Sequence, residues 1–225
     1  MKKFVIAIDG PAGAGKSTVA KIIANKLNFL YVDTGAMYRV LTLKAMREKI
    51  PWDDKEKLIE MAKNTEIELS QDGEKYRVFM DGEDVSEEIR KEEVSKNTSY
   101  IASILEIRKI LWEKQRNFGE KYDIVMEGRD IGTKVFPDAQ IKIYLDASVE
   151  ERAKRRYLQL KEMGIEEDIE KIKKEIIERD KKDKNREIAP LIKTDDYYYI
   201  DTTDLTIDQV VEKIMSIYKS KTQSL

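Results

Sequence analysis

Neither cysteine nor histidine occurs among the 225 residues of this chain. The first absence excludes disulfides, thiolate nucleophiles and Cys/His zinc sites, and the second removes imidazole as a general base. A basic excess is missing too: 42 lysines and arginines meet 44 acidic residues, for a formal charge of -2. This balance speaks against a duplex-DNA binder, which would show a basic face, and it leaves anion binding to local arginines. Long apolar runs are also lacking. Met1-Lys2-Lys3 followed by five apolar residues resembles the start of a secretory signal, but Asp9 ends the run before an h-region can form. No segment approaches membrane-spanning length. A cytoplasmic protein with no membrane or nucleic-acid partner is expected. No repeat, low-complexity tract or Pro-rich linker divides the chain, so any insertions belong to one folding unit.

What is abundant is charge, at 38% of residues, against the usual quarter. Lys/Glu enrichment without cysteine hints at a thermophile. The chemistry must run on Lys, Arg, Asp, Glu, Ser, Thr, a metal ion and backbone donors. Phosphoryl transfer needs little else, because it depends mainly on positioning and charge neutralisation.

The most informative stretch is Gly10-Pro11-Ala12-Gly13-Ala14-Gly15-Lys16-Ser17, a G-x-x-x-x-G-K-[ST] phosphate loop, with Thr18 directly after it. Phe4–Ile8 before it reads as a strand, and Val19, Ile22, Ile23 and Leu27 after it fall on one helix face. The glycines let successive N–H groups face a polyphosphate, Lys16 reaches the β- and γ-phosphates, and Ser17 is placed to ligate Mg²⁺. Gly10 through Thr18 are therefore the expected ATP-binding residues.

Five short apolar runs read as parallel strands: Phe4–Ile8, Phe29–Val32, Asp123–Met126, Ile141–Leu145 and Tyr197–Ile200. Helical patterns between most of them predict a doubly wound α/β sheet with ligands at the carboxyl ends. Ser148 with Glu151 and Thr206 with Gln209 read as capping boxes, and Leu205 with Val210 as a hydrophobic staple. The last helix should run through Ile217 and Tyr218 into a frayed polar tail. The stretch 66–84 reads as a hairpin turning at Asp72-Gly73, with helical flanks near Asp53–Lys63 and Ser86–Lys96. A highly charged helical region, 150–186, breaks near Gly164.

Four further clusters carry candidate ligand groups, the first two of them directly after strands. Asp33-Thr34-Gly35 follows the second strand, as a helix cap or a substrate contact, with Arg39 one turn inside the helix and able to aim its fork at a phosphate. Glu127-Gly128-Arg129-Asp130 follows the third. Unless the stretch is simply a solvated charged loop, Glu127 there suits Mg²⁺ or its waters, Arg129 a phosphate, and Asp130 the exocyclic amine of cytosine, while it would repel the O4 of uracil. Arg179, Asp183 and Arg186 fall at i, i+4 and i+7, one helical stripe within a run whose spacing alone favours a solvated face. Arg152, Arg155 and Arg156 could close over ATP as a lid or belong to a salt-bridged surface helix.

Together these stretches, with Asp81-Gly82-Glu83-Asp84-Val85 and Ile131-Gly132-Thr133, resemble the bacterial cytidylate kinases over nearly the whole chain. The resemblance implies the P-loop nucleoside monophosphate kinase fold: a five-stranded parallel core with helices on both faces, a small antiparallel insertion and a helical lid. It implies a core of 1–34, 98–148 and 188–225, a monophosphate-binding part of 35–97 and a lid of 149–187. It implies ATP as phosphoryl donor and Mg²⁺. By position, Arg39, Arg129 and Arg186 would clamp the CMP phosphate, Ser99, Arg108 and Asp130 would read cytosine, and Arg179 and Asp183 would contact ribose. Thr34 belongs with the CMP site, standing where Ser is frequent. Lys16, Arg129, Arg186 and the lid residue Arg156 would be catalytic. Glu127 stands where Asp is frequent and is one methylene longer, so its metal contact is direct or through water.

The activity expected is phosphoryl transfer from ATP to CMP or dCMP by a monomer. Its rivals are a phosphate-loop kinase for another small acceptor, such as a sugar, shikimate or thymidylate, and a nucleotide-dependent switch with no acceptor.

Overall fold

A computed structural model describes residues 3–73, 75–162 and 164–223. Met1 and Lys2 of the basic N-terminal run, and Ser224 and Leu225 of the expected frayed tail, lie outside the described residues.

Five strands form one parallel sheet: β1 (Val5–Asp9), β2 (Leu30–Asp33), β6 (Ile124–Gly128), β7 (Ile141–Asp146) and β8 (Tyr198–Asp201), in the order β2-β6-β1-β7-β8. Four of them end one residue later than the apolar run suggests and β6 two later, because the ladder continues through the first polar residue and, in β6, on to Gly128. Asp9 pairs with Gly128 and Asp33 with Glu127, so the chemical groups occupy the last rungs. Side chains alternate between two cores, as the pleat requires. Val5, Ala7, Val32, Ile124 and Met126 face α2 (Thr34–Arg47), α3 (Lys55–Asn64), α4 (Glu92–Ala102) and α5 (Leu105–Lys121). Ile6, Ile8, Tyr31, Val125, Ile143 and Leu145 face α1 (Lys16–Leu27) and α8 (Ile207–Thr222).

The expected hairpin is a three-stranded antiparallel sheet: β3 (Ile67–Asp72), β4 (Lys75–Met80) and the two-residue β5 (Glu83–Asp84). Sequence reading missed β5 because two residues carry no period. Its turn is visible only in the backbone, where Asp81 and Gly82 take φ of 52° and 83°, as a two-residue hairpin loop requires. This small sheet covers the open edge of β2. Gln71 accepts from the Tyr31 N–H at 3.0 Å and the Tyr76 hydroxyl from the Asp33 N–H at 3.4 Å, so the outward donors of that edge are met.

The charged region is a helical pair, α6 (Val149–Glu162) and α7 (Ile169–Asn185), packed through Ala153, Ile172 and Ile176. Gly164 breaks it with φ of 74°. The Ser148 box is one-sided: the Glu151 N–H donates to Ser148, but the Glu151 carboxylate turns to Arg155. The Thr206–Gln209 box is reciprocal, and Leu205 and Val210 join one apolar cluster. Thr206→Ala should therefore lower stability by about 1 kcal/mol, read as a shift in urea midpoint at unchanged slope.

Candidate active site

The loop after β1 curls because Gly10, Gly13 and Gly15 all take positive φ, at 150°, 79° and 86°. At Gly10 a side chain is also sterically barred, since a β-carbon would run into the Leu145 carbonyl oxygen. Gly15 caps α1 without any side-chain acceptor. The first N–H groups of α1 therefore lack intrahelical partners and face the loop's concavity, as anion sites at helix starts do. Lys16 lies over this loop, its Nζ donating to the Pro11 carbonyl at 2.7 Å. Burial, with Arg129 next and Arg179 adding to it, brings the ammonium down to about 7 against the pull of Glu127 and Asp9.

Opposite Lys16 stand Glu127 and Asp33, adjacent in register on β6 and β2. Burial raises the Glu127 carboxyl above its ordinary range, as does Asp33; Lys16, the Ser17 hydroxyl and the Tyr31 hydroxyl, which donates to Oε1 at 2.9 Å, oppose this. Ser17, Glu127 and Asp33 offer oxygen donors suited to a hard cation that keeps waters and shares phosphate oxygens. Among the described residues no cluster of three or more acidic side chains is poised to hold a cation by itself.

Asp33 is the N-cap of α2, accepting from the Ala36 N–H at 2.9 Å, and it also pairs with Arg39 at 2.9 Å. Thr34 turns its hydroxyl to the Glu127 carbonyl at 2.8 Å, joining α2 to β6. Arg129 pairs with Asp183 at 2.9 Å. Burial pushes Asp183 up, but Arg129 and Arg179 outweigh it and hold the carboxyl below its ordinary range.

The guanidinium groups converge, though not along the expected stripe. Arg179 is exposed as a residue, but its guanidinium lies among Arg129, Asp183 and Arg39. Burial there, and then Arg129, bring it down to about 10, with Arg39 and Arg156 also bearing on it. Arg186 leaves the stripe because α7 ends at Asn185, and Arg186 takes extended backbone with φ of -64° and ψ of 141°. Its Nη2 lies 3.7 Å from Asp130 Oδ1, and burial with Arg108 lowers its pKa. The structure thus gathers Arg39, Arg129, Arg179 and Lys16, and sets Arg186 beside Asp130.

Asp130 is buried, and its Oδ2 accepts from Arg108 Nη1 at 3.2 Å and from Trp112 Nε1 at 3.0 Å. Arg108 Nη1 also donates to the Tyr38 hydroxyl at 3.1 Å. Ser99 is exposed on α4, and no hydrogen bond among the described residues ties its side chain to this cluster. Arg156 is exposed and donates to Gln159. Arg152 and Arg155 are committed elsewhere: Arg152 forks onto Asp180 at 2.6 and 3.1 Å and holds the Ala12 carbonyl, while Arg155 holds Thr202. Two surface hollows, one along Arg116 and Phe136 and one along Lys142 and Asp196, lie apart from this cleft.

Sequence reasoning missed several supports. Asp9 is fully buried and accepts from the Ile131 and Gly132 N–H groups and the Tyr197 hydroxyl at 2.9, 2.8 and 2.7 Å, which fixes the segment carrying Arg129 and Asp130. Burial raises its pKa despite those three bonds. An acidic residue closing an apolar strand was the one local signal of it. Tyr31, Trp112, Tyr197 and the Arg152–Asp180 pair gave none.

A family model described as cytidylate kinase matches residues 6–220. The cytidylate kinase of Caldanaerobacter subterraneus subsp. tengcongensis is 53% identical over 218 residues, covering 97% of this chain and 96% of that protein. That of Alkaliphilus oremlandii is 50% identical over 219 residues, covering 97% and 99%. In three dimensions an uncharacterized protein from Eubacterium ventriosum superposes with a TM-score of 0.55 at 16% identity, covering 97% of this chain and 99% of that one, a likeness of fold.

Proposed function

The chain belongs to the cytidylate kinase family, and from that premise we propose that it moves the γ-phosphoryl group of ATP to CMP or dCMP, giving ADP and CDP or dCDP. The observation that carries the reading is the meeting of two anion-attracting groups of donors at one sheet edge: the loop of Gly10–Ser17 with Lys16, and the guanidinium groups of Arg39, Arg129 and Arg179. A switch without an acceptor has no need of the second group.

ATP phosphates rest on the N–H groups of the loop and the start of α1, and Lys16 leaves the Pro11 carbonyl to meet the β- and γ-oxygens. Mg²⁺, with Ser17 as its protein ligand and Glu127 near it directly or through water, would neutralise charge on the β- and γ-phosphates. Arg39 and Arg129 exchange their carboxylate partners, Asp33 and Asp183, for the CMP phosphate, and Arg179 adds charge between donor and acceptor. That exchange keeps the arginines ordered before substrate arrives, so less side-chain entropy is lost on binding. Asp183, released from Arg129, turns to ribose with Arg179. Asp130, Arg108, Ser99 and Arg186 face the base. The acceptor oxygen is already ionised near neutral pH, so positioning and charge neutralisation suffice without a general base.

Closure is assigned to the monophosphate part, 35–97, and the lid, 149–187, which brings Arg156 toward the phosphates and excludes water that would otherwise hydrolyse ATP. The protein acts as a cytoplasmic monomer on small nucleotides. A coupled ADP-release assay with CMP, dCMP, UMP, AMP and dTMP side by side tests the reading. CMP or dCMP should give the highest kcat/KM, and an ADP rate that none of the acceptors raises, or that dTMP or AMP raises more, would overturn it.

A further inference from the structure

We infer that Trp112 is a specificity-determining positioning residue: its indole N–H holds Asp130 so that one carboxylate oxygen alone remains to test the base for an amine. This rests on the reading of Asp130 as the group that meets the pyrimidine, and it concerns what aims that group.

Asp130 begins an irregular segment. Its φ of -143° and ψ of 23° belong to neither strand nor helix, and the following residues, Ile131–Val135, form a single π-helical turn. No regular element therefore fixes the side chain, and its orientation must come from what it touches. Three donors surround it. Two lie on α5 one turn apart, Arg108 and Trp112, and both point at Oδ2. The third, Arg186, is 3.7 Å from Oδ1, an ion-pair separation and not a hydrogen bond.

A carboxylate oxygen accommodates about two hydrogen-bond donors. Oδ2 is filled, and the acceptor capacity left on Asp130 belongs to Oδ1. Next to it, Arg186 Nη2 is buried with no hydrogen-bond partner among the described residues. An unfilled acceptor beside an unfilled donor asks for a ligand edge with the opposite pair, a donor next to an acceptor. Cytosine carries that pair in its exocyclic amine and adjacent ring nitrogen. Uracil presents an oxygen next to an N–H, and its oxygen would face Oδ1 with two acceptors opposed.

The two bonds on Oδ2 are not equivalent. Arg108 divides Nη1 between Asp130 at 3.2 Å and the Tyr38 hydroxyl at 3.1 Å, and its Nε is spent on the Ala102 carbonyl. Trp112 has one polar hydrogen, and it goes to Asp130 at 3.0 Å. Its ring packs against the core on the α5 side of the sheet, which fixes where the N–H points. When a base enters and draws on Arg108, the indole still holds Oδ2. A phenyl ring in its place keeps the packing and loses the aim.

The test measures kcat/KM for CMP and UMP in the full-length protein, in Trp112→Phe, and in a protein carrying 3-benzothienylalanine at position 112, which keeps the bicyclic shape and lacks the donor. Asp130→Ala is measured beside them. The CMP/UMP ratio should fall about tenfold in both position-112 variants, the size expected of one hydrogen bond to a charged group. The change should be carried mainly by the KM for CMP. Should Trp112→Phe fail to fold, the benzothienyl protein still decides. A ratio held within twofold at position 112, while Asp130→Ala collapses it, would overturn the role of Trp112 and leave Asp130 as the base reader. A ratio unmoved by Asp130→Ala would instead overturn the reading of Asp130 and this inference with it.

Discussion

Lys16→Met is expected to lower kcat about 10³-fold, the upper end for deleting one preorganised donor from a reacting centre, while the protein stays folded. Lys16 is buried, and among the described residues its ammonium donates one hydrogen bond, to the Pro11 carbonyl. That bond is local to the loop, so its loss leaves strands and helices in place. The loss falls on the transition state, where charge shifts toward the β–γ bridging oxygen, more than on ATP binding, which the loop's main-chain donors maintain. A drop in kcat much larger than the rise in KM for ATP is the signature. A Lys16→Met enzyme within tenfold of the parent kcat would show that this ammonium does not act on the transferring group.

The same substitution should raise thermal stability near neutral pH. Burial and the neighbouring Arg129 bring the folded-state pKa of Lys16 down to about 7, whereas an unfolded lysine titrates at about 10.4. Between these values the unfolded chain holds a proton that folded Lys16 has released, so stability rises with pH across the window. As pH falls from about 10.4 to about 7, the burial of this lysine costs progressively more. Methionine removes the cost, so the mutant's Tm should lie above the parent's at pH 7 and the gap should close toward pH 10. ATP supplies the countercharge that the empty loop lacks. Its binding at pH 8 should draw a proton onto Lys16, seen calorimetrically as a dependence on buffer ionisation heat that the methionine variant loses.

Asp130→Asn should reverse base preference, with a change in the CMP/UMP ratio of kcat/KM on the order of 10³-fold, because both limbs move and each carries about 1–3 kcal/mol. Arg108 and Trp112 are both donors aimed at one oxygen. The asparagine carbonyl must occupy that seat, since its amide there would oppose donor to donor. The amide nitrogen then stands where Oδ1 was and offers N–H to the base. It repels the amine of cytosine and suits the O4 of uracil. Asp130→Ala removes the acceptor without adding a donor and should lose preference without reversing it. Steady-state kinetics on the two nucleotides decide; a ratio within twofold of the parent in Asp130→Asn would exclude this carboxylate from base discrimination.

The fold was legible wherever the cause was local. Short apolar runs placed all five parallel strands to within two residues, the Thr206 hydroxyl and Gln209 announced a helix start, and Asp72-Gly73 announced a turn. The phosphate loop was legible because its glycines, lysine and serine act on one another within eight residues. The Arg179–Asp183–Arg186 stripe was legible only in part: spacing assumes a continuous helix, and α7 stops at Asn185, so Arg186 swings to Asp130 while Arg179 joins Arg129.

What the amino-acid order determined by itself was the set of elements, the donor loop and the inventory of arginines and carboxylates from which a phosphoryl-transfer site is made. What the tertiary structure alone decided was which charge meets which. Asp9 is bonded to Gly132 and Tyr197, Arg152 to Asp180 and Trp112 to Asp130 across 123, 188, 28 and 18 residues of sequence. Neighbours along a chain are fixed by covalent geometry, so periodicity reports them. Partners across a buried interface are fixed by packing and by the cost of leaving a charge unpaired, and no spacing rule carries that information.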